Sequence, residues 1–210
     1  SEVTTIVIHD FQIYLLTVAK CKLNTANKIL GFLKTVTLLG HRIGVMMQDP
    51  FREIRLRKES VERDFLTDEE INAIIQKELK IPRLDLVRDI FIFSCFTGLA
   101  YADIKKLTRN NIQSFFDGHQ WIISKRKKSD VASNVRLMEI PKRIIEKYQG
   151  TTRNEFIFPV PTNATCNTHV GKLIGKAEII KEKKVTFHTA RHTFGTMFLT
   201  EGVPLEKKKK

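Results

Sequence analysis

His188, Arg191 and His192 stand three and four residues apart in the run His188-Thr-Ala-Arg-His192, so at a helix start all three project from one side. One guanidinium flanked by two imidazoles is a set for gripping phosphate and moving protons. Arginine offers a bidentate fork to non-bridging oxygens, and imidazole gives or takes a proton near neutral pH. The same spacing also fits a helix start with a salt-bridged arginine and two packed histidines, so the run needs support from the rest of the chain.

The elements around it form two groups. Residues 8–20 place Phe11, Tyr14, Leu15 and Val18 on one helical stripe. Residues 25–40 do the same with Ala26, Ile29, Leu30, Leu33 and Val36, after Asn24 as the expected N-cap. Gly40 and Gly44 end that helix, and the charge-rich stretch Arg52 to Arg63 reads as a linker. Thr67-Asp-Glu-Glu70 is a capping box that opens a new helix. Apolar helical patterns follow at 84–96 and 101–107. The β-like stretches Trp121–Ser124 and Val135–Ile140 are joined by a basic turn and ended by Pro141. Helical patterns return at 142–148, 169–180 and 190–201, and Lys184-Val-Thr-Phe187 before the last of them reads as β-like.

Composition favours a polyanionic partner. Lys and Arg number 36 against 23 Asp and Glu, a formal charge of +13, four units of which are the terminal lysines 207–210. Such an excess points to DNA, with affinity falling as salt rises. The three cysteines are widely spaced and without a C-x-x-C, as expected for reduced thiols in a cytoplasmic protein. No apolar run has membrane-spanning length and no secretory leader is seen. Within the first group, Lys20, Lys22, Asn24, Thr25, Asn27 and Lys28 cluster at a helix junction, where lysines and short polar donors suit phosphate positioning. A helix cap with exposed lysines fits them equally.

The His188–His192 run, with Thr193-Phe-Gly-Thr196 after it, closely resembles the second signature box of the tyrosine recombinases, the phage-integrase family. Leu66-Thr-Asp-Glu-Glu70 is similar to the opening of that family's catalytic domain, Phe96-Thr-Gly-Leu99 to the lead-in of its first box, and Ile157-Phe-Pro159 to the segment before its second. The resemblance spans nearly the whole chain. It implies a mostly α fold of the α+β class: a helical, SAM-like core-binding domain in residues 1–60 ending in a basic linker, and a mixed catalytic domain in 61–210 with one small antiparallel sheet. It also implies site-specific DNA recombination or integration without metal or other cofactor, through a phosphotyrosyl intermediate, with double-stranded DNA as partner, self-association on DNA, a mobile-element setting and no membrane.

Residue roles follow from the same resemblance. Arg191 is the second clamp arginine, His188 a phosphate ligand and proton-transfer group, and His192 an orienting neighbour. In Ser124-Lys-Arg126-Lys-Lys128-Ser129 the pattern R-x-K-[ST] is similar to the family's hairpin lysine motif, making Lys128 a general acid for the departing 5′-oxygen. Lys125 and Lys127 beside it are expected on the DNA backbone. The first-box arginine is missing: Ala100 stands in its place, as in a branch similar to the integrases of Bacteroides-type mobile elements. Arg126, two residues from Lys128, is the surrogate expected to bring a guanidinium to the same phosphate. Asp103 matches the box's acidic residue, expected as a brace. Only Tyr14, Tyr101 and Tyr148 are present, and none holds the nucleophile's place after the second box. The chain is therefore expected to stop short of that tyrosine and to bind DNA without cutting it. The alternative is a DNA-binding regulator that has kept a recombinase fold without catalysis.

Overall fold

Two helices pair through one narrow strip of each, although the first is apolar on its outer side as well, where Ile6, Val7 and Ile13 are exposed. In the computed structural model, which describes residues 3–62, 64–116, 118–125, 132–152 and 155–200, these are α1 (Thr5–Thr17) and α2 (Leu23–Arg42). Ile8 and Leu15 meet Ala26 and Leu30, with Phe51 and Ile54 closing the small core. The strips are narrower than their periodicity predicts: Tyr14, Val18 and Val36 are more than half exposed. Asn24 is not the cap either. Lys22 holds the N-cap position, and Asn24 lies inside the helix, its amide donating to the Glu59 carbonyl and accepting the Glu59 N–H, both at 3.0 Å. Asn27 donates to the Arg57 carbonyl at 2.7 Å. The charged stretch read as a linker is thus partly stitched to α2. Residues Ser1–Glu62 form one compact unit and Arg63–Lys210 a second.

The second unit is built around α4 (Pro82–Thr97), which is buried nearly all round through Leu84, Val87, Ile90, Phe91, Phe93 and Cys95. Full burial on every face marks a helix that others pack around. Those others are α3 (Asp68–Gln76), α6 (Glu139–Lys147), α7 (Asn163–Lys176) and α8 (Phe187–Thr200). α3 begins with the expected capping box, Thr67 Oγ1 and the Glu70 carboxylate each accepting the other's backbone N–H. Between α4 and α6 lie the short α5 (Tyr101–Ile104) and an antiparallel sheet β1 (Ile112–Ser114), β2 (Gln120–Lys125) and β3 (Ala132–Arg136), in that order. Ile122 pairs with Val135 and is wholly buried, so it turns one sheet face to the core. The mostly helical α+β class is as expected.

Two expectations about the sheet change. β1 has too short and too polar a sequence to announce itself. The strand expected over Val135–Ile140 ends at Arg136, and Pro141 lies in the first turn of α6, where its missing N–H costs nothing.

A charged network clamps α6 to α4. Lys147 Nζ reaches Asp85 Oδ2 at 2.5 Å and Asp89 Oδ2 at 2.6 Å, Arg88 pairs with both carboxylates, and the Tyr148 hydroxyl donates to Asp89 Oδ2 at 2.9 Å. Burial and then the Asp89 charge hold the Tyr148 phenol well above its usual 10.0. Burial alone would lower the Lys147 ammonium from its usual 10.5, but its bonds to Asp85 and Asp89 more than offset this. Both groups therefore keep their protons in the folded state at a pH where the unfolded chain releases them. Their contribution is complete below about pH 10 and is lost as pH rises further. Urea unfolding midpoints should be level from neutral pH to about 8 and start to fall near 9, as the Cys95 and Cys166 thiols, which burial pushes up, lose their share. They should fall further between about 10 and 11, less steeply over that last range in Tyr148→Phe. An equally steep fall in that variant would deny the phenol its share.

Candidate active site

The first N–H groups of a helix need partners, and at the start of α8 two side chains and one backbone carbonyl, that of Thr186 for the Thr189 N–H, supply them. The Phe187 N–H donates to Asn167 Oδ1 of α7 at 2.8 Å, and Thr189 Oγ1 accepts the Thr186 N–H at 3.1 Å. The buried Thr193 hydroxyl donates to the Thr189 carbonyl and accepts the Leu66 N–H, each at 3.0 Å. Phe187 packs edge-on against Phe91 and Tyr101 at 6.0 and 5.9 Å. The stretch 184–187 that reads as β-like is therefore no strand: Val185 is buried in the core, Thr186 precedes the helix and Phe187 begins it.

On this pinned first turn His188 is exposed, Arg191 and His192 are half-buried, and the two imidazoles meet edge to face at 4.6 Å. The geometry leaves one imidazole open to a ligand and sets the other behind it.

The Thr97-Gly-Leu turn before Ala100 has a physical reason. Gly98 ends α4 in the left-handed region at φ +64°, and a Cβ placed on it would lie 2.5 Å from the Phe194 ring. Glycine alone permits both the turn and the approach of α8 three residues past Arg191. Thr97 and Ser94 hydroxyls tie the turn to the Phe93 and Leu99 carbonyls at 2.7 and 2.8 Å. Ala100 then holds the N-cap position of α5, carrying no donor for an anion, and Asp103 sits half-buried on the same short helix.

A cleft of about 1020 Å³ opens beside Arg191. One wall is the face of α8 that carries Arg191, Phe194 and Phe198, spaced three to four residues apart. The facing wall is the outer side of the sheet. Trp121 and Arg136 are directly paired across β2 and β3, and His119 joins them, with the His119 Nε2 2.7 Å from an Arg136 guanidinium nitrogen. Lys142 and Glu139, at the start of α6, close one end. Sequence reasoning missed this wall. The buried Ile122 would have indicated that Trp121 faces outward, but Arg136 joins it only once strand register is known.

Arg126, Lys127 and Lys128 lie outside the described residues, so their placement adds nothing here. Lys125 ends β2, paired with Ala132. In the first unit, Lys22, Thr25 and Lys28 are exposed on α2, and Lys20 is exposed in the turn before it at φ +49°. Asn27 is only 6% exposed and, with Asn24, is engaged in the backbone bonds given above. Those two amides are thus structural ties rather than donors offered to phosphate.

The tyrosine hydroxyls of the second unit are also committed. That of Tyr101 donates to the Pro161 carbonyl at 2.6 Å and that of Tyr148 to Asp89. Tyr14 belongs to the first unit, stacked on Phe11. Among the described residues, no His, Cys, Asp and Glu side chains cluster as a metal site, and no helix is long and apolar enough to cross a membrane.

Comparison with known proteins agrees with this fold. The model of the phage integrase family matches residues 64–209. No curated protein matches the sequence. Among solved structures, a lambda integrase dimer bound to a COC′ core site is similar with a TM-score of 0.73 at 17% identity, covering 96% of this chain and 75% of that one. The Tn1549 transposon integrase in complex with circular intermediate DNA gives 0.74 at 15%, covering 97% and 75%. A lambda integrase tetramer bound to a Holliday junction gives 0.74 at 16%, covering 100% and 66%. At these identities the likeness is one of fold.

Proposed function

Because the chain belongs to the phage integrase family of tyrosine recombinases, we propose that it acts in site-specific DNA recombination, binding duplex DNA and holding a phosphodiester at the start of α8. The observation that carries this is one helix start that presents Arg191 to a cleft and holds His188 and His192 in edge-to-face contact beside it, the two imidazoles lying outside the cleft lining. Arg191 binds the non-bridging oxygens, on which the charge of a phosphoryl-transfer transition state accumulates. Where a nucleophilic tyrosine is supplied in addition to these 210 residues, which by themselves bind DNA without cutting it, His188 hydrogen-bonds the phosphate and relays the proton of the attacking hydroxyl, and His192 orients it. As the tyrosine oxygen bonds to phosphorus, the bond to the 5′-oxygen breaks and Lys128 protonates that oxygen. Asp103 braces the site, and Arg126 supplies the guanidinium that Ala100 cannot. Exposed Lys20, Lys22, Thr25 and Lys28, with Lys125 and Lys127, bind backbone phosphates. The lambda integrase dimer and tetramer on DNA support self-association on DNA, and the family's setting supports a cytoplasmic protein.

Fluorescence anisotropy with a labelled duplex tests the binding. Log affinity should fall linearly with log salt, and Arg191→Ala should weaken binding modestly and reduce the slope by about 0.9, one phosphate contact among several. Affinity that is unchanged between low and moderate salt would overturn the reading. Two observations favour a second reading, a DNA-binding regulator without cleavage: Ala100 stands where a clamp arginine is expected, and the Tyr101 and Tyr148 hydroxyls are both committed.

A further inference from the structure

The cleft beside Arg191 carries cations on more than one wall. Of its described lining residues, Arg136, Lys142 and Arg191 are cationic against the single carboxylate of Glu139, which pairs with Arg143 at 3.0 Å. The excess positive charge suits an anion. Arg136 is exposed on the last position of β3, directly opposite Trp121. Its contact with His119 orients it: a guanidinium only donates, so the His119 Nε2 accepts. One of five N–H donors is used in holding the side chain, and the rest of the fork is available to an anion. Trp121, its ring 5.9 Å from that of Phe115, lines the same cleft.

We propose that Arg136, oriented by His119, is a phosphate-binding residue of this cleft and grips the DNA strand that Arg191 holds from the opposite wall. The assignment rests on the recombinase reading above and deepens it. It places a guanidinium near the site from β3, and so partly offsets the anion binding that Ala100 lacks.

Trp121 is the chain's single tryptophan, and its emission therefore reports on the cleft. Titration of the 210-residue chain with duplex DNA should change that emission saturably, with the midpoint that anisotropy gives for binding. Arg136→Gln should remove most of the emission change and lower the log–log salt slope by about 0.9. Arg136→Lys should keep the slope and lose part of the emission change, because charge remains but the fork does not. Arg109→Gln, which removes an exposed cation outside the cleft, should leave the emission change intact. If the chain binds DNA with the expected salt dependence while Trp121 is silent and Arg136→Gln binds as before, the proposal falls and the DNA-binding reading stands. If no DNA binding occurs at all, both fall. A Trp121 response to inorganic phosphate with none to duplex DNA would overturn the assignment to a DNA strand.

Discussion

Gly98→Ala should destabilise the second unit by about 2–5 kcal/mol. A residue with a Cβ held in the left-handed region costs about 1–2 kcal/mol, and forcing a methyl into a packed site costs about 1–3 kcal/mol more. Both apply, because Gly98 sits at φ +64° and the added carbon would overlap the Phe194 ring at 2.5 Å. The ring cannot retreat freely, since it packs at a tilt against Phe198 at 4.3 Å on the same face of α8. The consequence reaches the site: Phe194 is three residues from Arg191, so relief of the clash displaces the turn that carries the guanidinium. Urea unfolding of Gly98→Ala, Phe194→Leu and the double variant separates the two causes. The double variant should recover part of the loss from the relieved overlap and retain the backbone strain. A single variant as stable as the parent would show that neither the turn nor the close approach constrains this junction.

That junction shows which features the sequence makes legible. The spacing of His188, Arg191 and His192 survives folding because covalent geometry sets which residues share a helix face, whatever else packs around them. The Thr-Gly-Leu turn and the Thr67 capping box are legible for a similar reason, as each is satisfied by atoms a few residues apart. Asn24 misled because a side chain that can cap a helix can equally bond a distant backbone, and here Glu59 is that partner. Lys184–Phe187 misled because β-branched residues also serve as core anchors and in the approach to a helix: Val185 is buried, and the Thr186 N–H donates to Thr189 Oγ1. Tyr14, Val18 and Val36 follow helical periodicity, yet periodicity marks an apolar face without saying how much of it is covered. The cleft wall of His119, Trp121 and Arg136 was the least legible. It depends on strand register and on how the sheet packs against α8, and neither is a local property of the chain.

A suicide duplex nicked close to the scissile position should give no denaturant-resistant covalent adduct with the 210-residue chain, even at concentrations where anisotropy shows binding. Nucleophilic attack needs a hydroxyl presented in line to phosphorus, with a route for its proton. Tyr148 fails on both counts. Its hydroxyl donates to Asp89 inside the α4–α6 clamp, and burial with the neighbouring carboxylate charge drives its phenol away from ionisation. Tyr101 spends its proton on the Pro161 carbonyl, with its ring packed edge-on against Phe187. Tyr14 lies on α1 in the other compact unit, where its described ring contact is with Phe11. Replacing Tyr148 by Phe should accordingly lower stability by about 1.5–3 kcal/mol, the range for a hydrogen bond to a charged acceptor, and leave DNA affinity within about twofold of the parent. An adduct that survives denaturation and maps by peptide analysis to Tyr101 or Tyr148 would mean that these hydroxyls leave their partners when DNA binds, and that the active centre is not organised around Arg191. An adduct at Tyr14 would make the first unit the source of the nucleophile. Loss of DNA binding in Tyr148→Phe, with stability unchanged, would move that phenol from the clamp to the DNA interface.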